Sequence, residues 1–166
     1  MRPQFEPRRG SERMTIIKLF DNLTHREPVI ALWEAIFGYE TAHNSPGLVI
    51  DKKIAINDEL FFVALLDAEV VGTTMAGYDG HRGWIYSVAV HPGHRKQGIG
   101  TSLVSHAERA LIERGCVKIN LQIAQGNESV AAFYSSLGYA EEKRVSMGKR
   151  IDENSSISSF SPDTNG

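Results

Sequence analysis

The segment that joins a strand pattern to a helix pattern in the middle of the chain constrains its fold most strongly. Residues 84–91 are rich in β-branched and aromatic side chains and end at Pro92-Gly93, and a helical apolar pattern begins at Ile99. Between them stands Arg95-Lys96-Gln97-Gly98-Ile99-Gly100. Glycines beside a helix start allow a sharp turn that leaves backbone N–H groups unpaired. We therefore predict a strand, a tight turn and a helix whose N-terminus binds a phosphate or pyrophosphate.

Two better-known phosphate loops do not fit this segment. The chain has no Gly-Lys-Ser/Thr, which a P-loop requires, and Leu103 stands where the dinucleotide-binding pattern G-x-G-x-x-G needs its last glycine. A tight turn with a purely structural role is the alternative explanation for the hexapeptide.

Apolar periodicity predicts the remaining elements. We expect strands at 15–20, 60–66, 69–78, 119–124 and from Val145 to about Ile151, with a tight connection at Asp67 and Ala68. Helices are expected from Pro28, placed in the first turn, to a C-cap at Gly38, then at about 50–57, from Ile99 to Gly115, and from an N-cap at Asn127 to Gly138. Residues 39–47 are expected to form a loop.

Composition bounds the function classes. The 166 residues carry 18 basic and 20 acidic side chains, which give a net charge of -2. The chain therefore lacks the excess of basic residues that is typical of a nucleic-acid-binding protein. The longest apolar run, 60–66, is too short to span a membrane. The single Cys116 fits a reducing compartment, so we expect a cytoplasmic protein. We expect one domain over 14–151, between a disordered leader at 1–13 and a disordered tail at 152–166.

A second motif follows the anion turn about thirty residues later. Residues 127–139 read Asn-Glu-Ser-Val-Ala-Ala-Phe-Tyr-Ser-Ser-Leu-Gly-Tyr. Together with Arg-x-x-Gly-x-Gly, this segment resembles the GCN5-related N-acetyltransferase (GNAT) family over about Thr15 to Ile151. The segments 77–83, 114–116 and 148–150 are most similar to the small bacterial YpeA-type acetyltransferases.

The resemblance implies a mixed α/β fold, in which a twisted, mostly antiparallel sheet is flanked by helices on both faces and splayed where the cofactor enters. It also implies acetyl-CoA as cosubstrate. The pyrophosphate would rest on the turn, and the pantetheine arm would align with the main chain of the preceding strand. The cofactor-binding residues implied are Val88, Val90, Arg95, Gln97, Gly98, Ile99, Gly100, Thr101 and Asn127.

The resemblance also places Tyr134 near the coenzyme sulfur, as a general acid for the departing thiolate. A phenol with a pKa of about 10 can protonate a thiolate whose conjugate acid has a pKa of about 8.5. The alternative is a buried helix aromatic that only packs beside Phe133 and Leu137.

The general base is left unassigned. Many relatives place a carboxylate on the strand before the turn, whereas residues 84–88 read Trp-Ile-Tyr-Ser-Val. Glu34, Asp79 or a water bound near Tyr86 are the candidates. The histidines show no metal-ligand spacing, so no metal is expected.

The acceptor pocket implied by the family lies between the first helices and the loop around residue 80. Its candidate residues are Trp33, Phe37, Tyr78, His81 and Arg82, although the helical spacing of Trp33 and Phe37 also fits a core position. We expect direct attack by a primary amine of a small molecule on the thioester. The alternatives are acetylation of a protein N-terminus or lysine, and a non-catalytic acetyl-CoA sensor. We expect a monomer or homodimer, with no nucleic-acid or membrane partner.

Overall fold

A computed structural model describes residues 13–38 and 45–151. The predicted tail and, except for Arg13, the predicted leader lie outside these residues, as do positions 39–44 of the predicted loop. The chain divides after Asn127 into two compact units. The first unit contains β1 (Thr15–Leu19), α1 (Asn22–Phe37), α2 (Pro46–Ile56), β2 (Phe61–Leu66), β3 (Glu69–Tyr78), β4 (Gly83–Val90), α3 (Ile99–Glu113) and β5 (Ile119–Asn120), and the second contains α4 (Glu128–Ser136).

The five strands form one sheet in the order β1-β2-β3-β4-β5. The first three pairings are antiparallel, and β5 pairs with β4 in parallel over Gly83 and Trp84 alone. Asp67 and Ala68 join β2 to β3 with φ angles of 50° and 66°, as in the two-residue turns that match the twist of a hairpin. The predicted antiparallel pair and its connection are therefore confirmed.

Each face of the sheet is covered by helices, because side chains alternate along a strand between two apolar layers. On one face α1 and α2 pack on the sheet, and the buried cluster there consists of Val29, Leu32, Trp33, Ile50, Phe61, Val63, Met75 and Ala89. On the other face α3 contributes to a cluster that consists of Ala64, Leu66, Val71, Ile99 and Leu103. The predicted start of α3 at Ile99 is confirmed, and Gly115 follows the helix with a φ of 86°.

The predicted starts of α1 and α2 are wrong. Asp21 caps α1 by accepting a hydrogen bond from the Leu23 amide at 3.0 Å, and its own amide donates to His25 Nδ1 at 2.9 Å. The helix therefore begins well before Pro28, which lies inside it. Likewise α2 begins at Pro46, a residue suited to a first helical turn, rather than near residue 50.

The predicted final strand is also wrong. Among the described residues from 139 to 151 no strand is formed, and Val145, Met147 and Ile151 are 88%, 92% and 81% exposed. Alternating apolar residues suit a strand only where a neighbouring strand pairs with them and one face is buried. The strand predicted at 119–124 is likewise reduced to Ile119–Asn120.

Gly72 on β3 allows close packing of α3 on the sheet. A Cβ there would lie 2.9 Å from Leu103 Cδ1 and 3.0 Å from the Ala89 carbonyl oxygen. We predict that Gly72→Ala lowers the free energy of unfolding by about 1–3 kcal/mol through overpacking. Urea denaturation measures this, with Gly148→Ala, whose Cβ would meet no atom within 4 Å, as control. Equal stability of the two variants would contradict the packing argument.

Candidate functional site

A β-bulge interrupts the pairing of β4 with β3. Thr73 faces Ala89 and Met75 faces Tyr86, so Ser87 and Val88 together stand opposite Thr74. Ser87 has a φ of 51°, a left-handed conformation that is uncommon for a residue other than glycine. Such bulges bend a strand and often lie next to active sites. No glycine marks this position, so the sequence analysis did not identify it.

Beyond Trp84, the edge of β4 that faces away from β3 is open. β5 pairs with Gly83 and Trp84 only, and no described strand pairs with residues 85–90 on that edge. The His91 amide donates to Val71 O at 2.8 Å, towards β3, so the alternation along the strand turns the backbone groups of Val90 and Val88 to the open edge. The structure thus places the main chain of both residues where an extended ligand arm could bond to it.

The predicted anion turn follows at the end of β4, after a 3₁₀ turn at Pro92–His94. Lys96 and Gly98 have φ angles of 60° and 78°, and Gly98 directly precedes α3. Ser102 is the first amide to bond back, to Gly98 O at 3.0 Å. Within the described residues, no hydrogen bond is formed by five backbone amides, those of Gln97, Gly98, Ile99, Gly100 and Thr101.

These amides form a concave group of donors at the positive end of the α3 dipole. The exposed side chains of Arg95 and Lys96 add two positive charges, and Arg95 Nε donates to Val90 O at 3.4 Å. Ile99 is 3% exposed and anchors the turn to the core. The arrangement is suited to a phosphate or pyrophosphate.

A pocket of about 470 Å³ lies at the other end of β4. It is lined by Lys53, Ile56, Asp58, Gly77, Tyr78, Asp79, Trp84 and Tyr86. Trp84 and Tyr86 project from the same face of β4 and are 38% and 39% exposed. Such a volume and such exposed aromatic rings are typical of a site for a small organic molecule.

Lys53 is a buried cation in this pocket and is 5% exposed. Its ammonium group donates to Asp58 Oδ2 at 2.7 Å and to Ala76 O at 2.5 Å, and it lies 5.6 Å from the centre of the Tyr86 ring. Asp58 in turn accepts from the Leu60 amide at 3.1 Å, and Arg114 from the end of α3 donates to Asp58 O at 2.8 Å. The wall of the pocket is therefore held by a connected polar network.

Asp79 is held in its ionised form. Its Oδ1 accepts hydrogen bonds from the amides of Arg82 at 2.6 Å and His81 at 2.7 Å. These bonds, together with one from the Trp84 side chain, lower the pKa of the carboxyl group below its ordinary value. A carboxylate with a lowered pKa is a weaker base, so Asp79 is less suited to the general-base role considered for it.

The structure brings only some of the predicted acceptor residues to the pocket. Tyr78 lines it, and its hydroxyl lies 3.2 Å from Gly80 O and 3.3 Å from Gly115 O. His81 and Arg82 follow in the adjoining loop with accessible side chains. Trp33 is 1% exposed in the core, where it cannot line an open pocket; its helical spacing indicated burial, as the alternative interpretation held. Glu34 and Phe37 are exposed on α1.

Asn127 ends the first unit, where its amide donates to Ala124 O at 3.1 Å. In the second unit Tyr134 is 8% exposed, with ring-centre distances of 5.0 Å to Phe133 and 5.7 Å to Tyr139. Burial raises the pKa of Tyr134 to about 12, so its phenol stays protonated throughout the neutral range.

The described residues contain no helix long and apolar enough to cross a membrane. Within 13–38 and 45–151, no three His, Cys, Asp or Glu side chains are grouped so that they could hold a metal ion.

Comparison with known proteins identifies relatives of this chain. A model of the acetyltransferase (GNAT) family matches residues 26–139. An acetyltransferase of Pectobacterium atrosepticum is 41% identical over 127 residues, which are 76% of this chain and 89% of that protein. The aminoglycoside N-acetyltransferase AAC(6')-Iy, solved in complex with CoA, has a TM-score of 0.69 and 18% identity over 85% of this chain and 97% of its own. An aminoglycoside acetyltransferase from an uncultured soil metagenomic sample was solved in complex with trehalose. It has a TM-score of 0.66 and 25% identity, and the match covers 83% of this chain and 97% of that protein.

These comparisons confirm the predicted fold class, a mixed α/β fold with a mostly antiparallel sheet between helices. The closer resemblance to YpeA-type acetyltransferases stays a prediction.

The buried ion pair in the pocket gives a test of its architecture. We predict that Lys53→Met lowers the free energy of unfolding by about 3 kcal/mol, because it leaves the Asp58 carboxylate without its cation. The double variant Lys53→Met, Asp58→Asn should be more stable than Lys53→Met, since the unpaired charge is then removed as well. Urea denaturation of both variants measures the difference. A double variant less stable than the single one would contradict the pairing.

Proposed function

Because the chain belongs to the GNAT family of acetyltransferases and is therefore an acyltransferase, we propose that it moves the acetyl group of acetyl-CoA to a primary amine of a small molecule. The observation that carries the proposal is the combination of features along β4. An anion turn ends the strand, an edge that no described strand pairs with runs along residues 85–90, and an aromatic pocket lies at its start.

The pyrophosphate of acetyl-CoA would occupy the turn. The amides of residues 97–101 supply its donors, and Arg95 supplies a cation near the diphosphate. A Cβ added at Gly98 would meet no atom within 4 Å, so the surface above the turn is open to a ligand. The pantetheine arm would bond to the main chain of Val88 and Val90, as a strand adds to an open sheet edge. Asn127 completes the proposed cofactor contacts. CoA itself is bound by the structurally similar AAC(6')-Iy.

The acceptor would enter the aromatic pocket. Amines are cationic at neutral pH, and the pocket offers an ionised carboxylate at Asp79 and the ring faces of Trp84 and Tyr86. Its volume of about 470 Å³ suits a small molecule. Tyr78, His81 and Arg82 are the proposed substrate contacts, while Trp33 is not among them. Two of the solved proteins with a similar fold are named as aminoglycoside acetyltransferases, and aminoglycosides are small amines.

The proposed reaction is direct transfer. The nitrogen lone pair of the neutral amine attacks the thioester carbonyl carbon and a C–N bond forms. The nitrogen then loses one proton to solvent water, and the C–S bond breaks as the CoA thiolate leaves. The Val88 amide would polarise the carbonyl oxygen. Tyr134, the proposed general acid, would donate a hydrogen bond from its hydroxyl to the thiolate, and the proton that the nitrogen releases to solvent completes the free thiol. With a pKa of about 12 this phenol is a weaker acid than free tyrosine, which favours a hydrogen-bond donor over a full proton carrier.

We predict that acetyl-CoA stabilises the protein against heat. At about 100 times its dissociation constant, a ligand that binds only the folded state adds about 2.7 kcal/mol. Gly98→Trp should abolish this shift, because a large side chain would fill the turn. Gly115→Trp is the matched control: Gly115 also has a positive φ and open space around its Cβ, but it follows the other end of α3. Differential scanning fluorimetry measures all three proteins.

Release of free thiol distinguishes the candidate functions. A screen of small amines and of peptides with free N-termini or lysines should show turnover with a small amine. Turnover with peptides alone would support a protein acetyltransferase, and a thermal shift without any thiol release would support a sensor. Absence of a shift in the wild type would overturn the proposed acetyl-CoA site.

We predict that Tyr134→Phe lowers kcat at least about tenfold with little change in acetyl-CoA affinity, because its hydroxyl would act on the leaving thiolate and not on the bound cofactor. The measurement is thiol release at saturating acetyl-CoA, beside the thermal shift. Phe133→Leu is a control that alters the neighbouring ring and leaves the hydroxyl in place. An unchanged kcat in Tyr134→Phe would remove this residue from the mechanism.

A further inference from the structure

The bulge on β4 is connected to α1 by a chain of two hydrogen bonds that passes through Thr73 on β3. Trp33 Nε1 donates to Thr73 Oγ1 at 2.8 Å, and the Thr73 hydroxyl donates to Ser87 O at 3.0 Å. Trp33 is 1% exposed and Thr73 is not exposed at all. A single hydroxyl thus accepts from α1 and donates to the residue that has the unusual backbone conformation.

This chain of bonds acts on a backbone position that regular sheet geometry does not hold. Ser87 has its φ of 51° within a strand, and a non-glycine residue keeps such a conformation only where the surrounding structure fixes it. The direction of the Ser87 carbonyl determines the orientation of the peptide plane that Ser87 shares with Val88. The N–H of that plane belongs to Val88. The hydrogen bond from Thr73 therefore fixes the direction of the Val88 amide.

We propose that Trp33 and Thr73 are positioning residues that aim the Val88 amide at the thioester oxygen. The inference rests on the proposed function, since it requires that this amide polarises an acyl-CoA carbonyl. It assigns Trp33 a role in the reaction without contact with substrate. A carbonyl oxygen that turns negative in the transition state gains most from a donor that is already oriented.

Thr74 provides a matched control. It is the next residue on β3, it is equally buried, and it stands opposite the bulge. Its hydroxyl has no hydrogen-bond partner in the structure. Thr73→Val and Thr74→Val remove the same atom from adjacent positions of one strand, but only the first breaks the chain of bonds.

The experiment measures kcat by thiol release, acetyl-CoA affinity by thermal shift, and unfolding by urea. Thr73→Val should lower kcat at least about tenfold, because small misplacement of a reacting group has large effects on rate. Acetyl-CoA affinity should stay within about threefold of wild type, since the phosphate turn is unchanged. Thr73→Ser retains the hydroxyl and should restore most of the wild-type kcat, and Thr74→Val should match the wild type.

Trp33→Phe tests the chain of bonds from its other end and also serves if Thr73→Val does not fold. It removes the indole donor and retains an aromatic ring, so kcat should fall with acetyl-CoA affinity preserved. The inference is overturned if Thr73→Val loses no more kcat than Thr74→Val, or if Thr73→Ser loses as much as Thr73→Val. If the wild type is active and either of these two results is found, only the positioning role is overturned and the proposed function still stands. A wild type with neither thermal shift nor thiol release overturns the proposed function, and this inference with it.

Discussion

The structure depends on what the backbone N–H and C=O groups bind along the two edges of strand β4. β4 pairs with β3 along most of its length, whereas its pairing with β5 ends at Trp84. Open backbone groups inside a protein are costly unless something binds them, so this edge requires either water or a ligand. Trp84 in the aromatic pocket and Val90 before the anion turn are six residues apart, about 20 Å along an extended strand, which suits a long cofactor arm.

Local patterns were sufficient to predict the frame of this site. The apolar runs on either side of Asp67-Ala68 predicted β2 and β3, and the glycine turn before Ile99 predicted where α3 begins. Each of these features depends on neighbours in the sequence, where turn chemistry and periodicity act. The bulge at Ser87 has no such signal. Its conformation is fixed by Thr73, a residue fourteen positions away on another strand, and by Trp33 from α1.

The two side chains whose positions the sequence analysis misjudged or missed, Trp33 and Lys53, have both apolar and polar parts. Trp33 has helical spacing with Val29 and Leu32, which predicted its burial, yet its indole N–H also requires a partner once it is buried. Lys53 lies one helical turn from Ile50, on the buried side of α2, although lysine is among the residues most often exposed. No sequence pattern shows that Asp58 and the Ala76 carbonyl will be there to receive its charge.

The pocket contains carboxylates, but neither is arranged as a strong base. Asp58 is paired with Lys53, and the hydrogen bonds to Asp79 lower the pKa of its carboxyl group. Deprotonating an alkylamine with a pKa near 10.4 at pH 7 costs about 4.6 kcal/mol. If no side chain offsets that cost, the reaction draws on the small neutral fraction of the acceptor, and a proton passes to solvent. The protein's contribution then lies in holding the amine, the thioester and the Val88 amide in line. In the proposed mechanism, the backbone conformation of β4 at Ser87 would therefore bear directly on the rate.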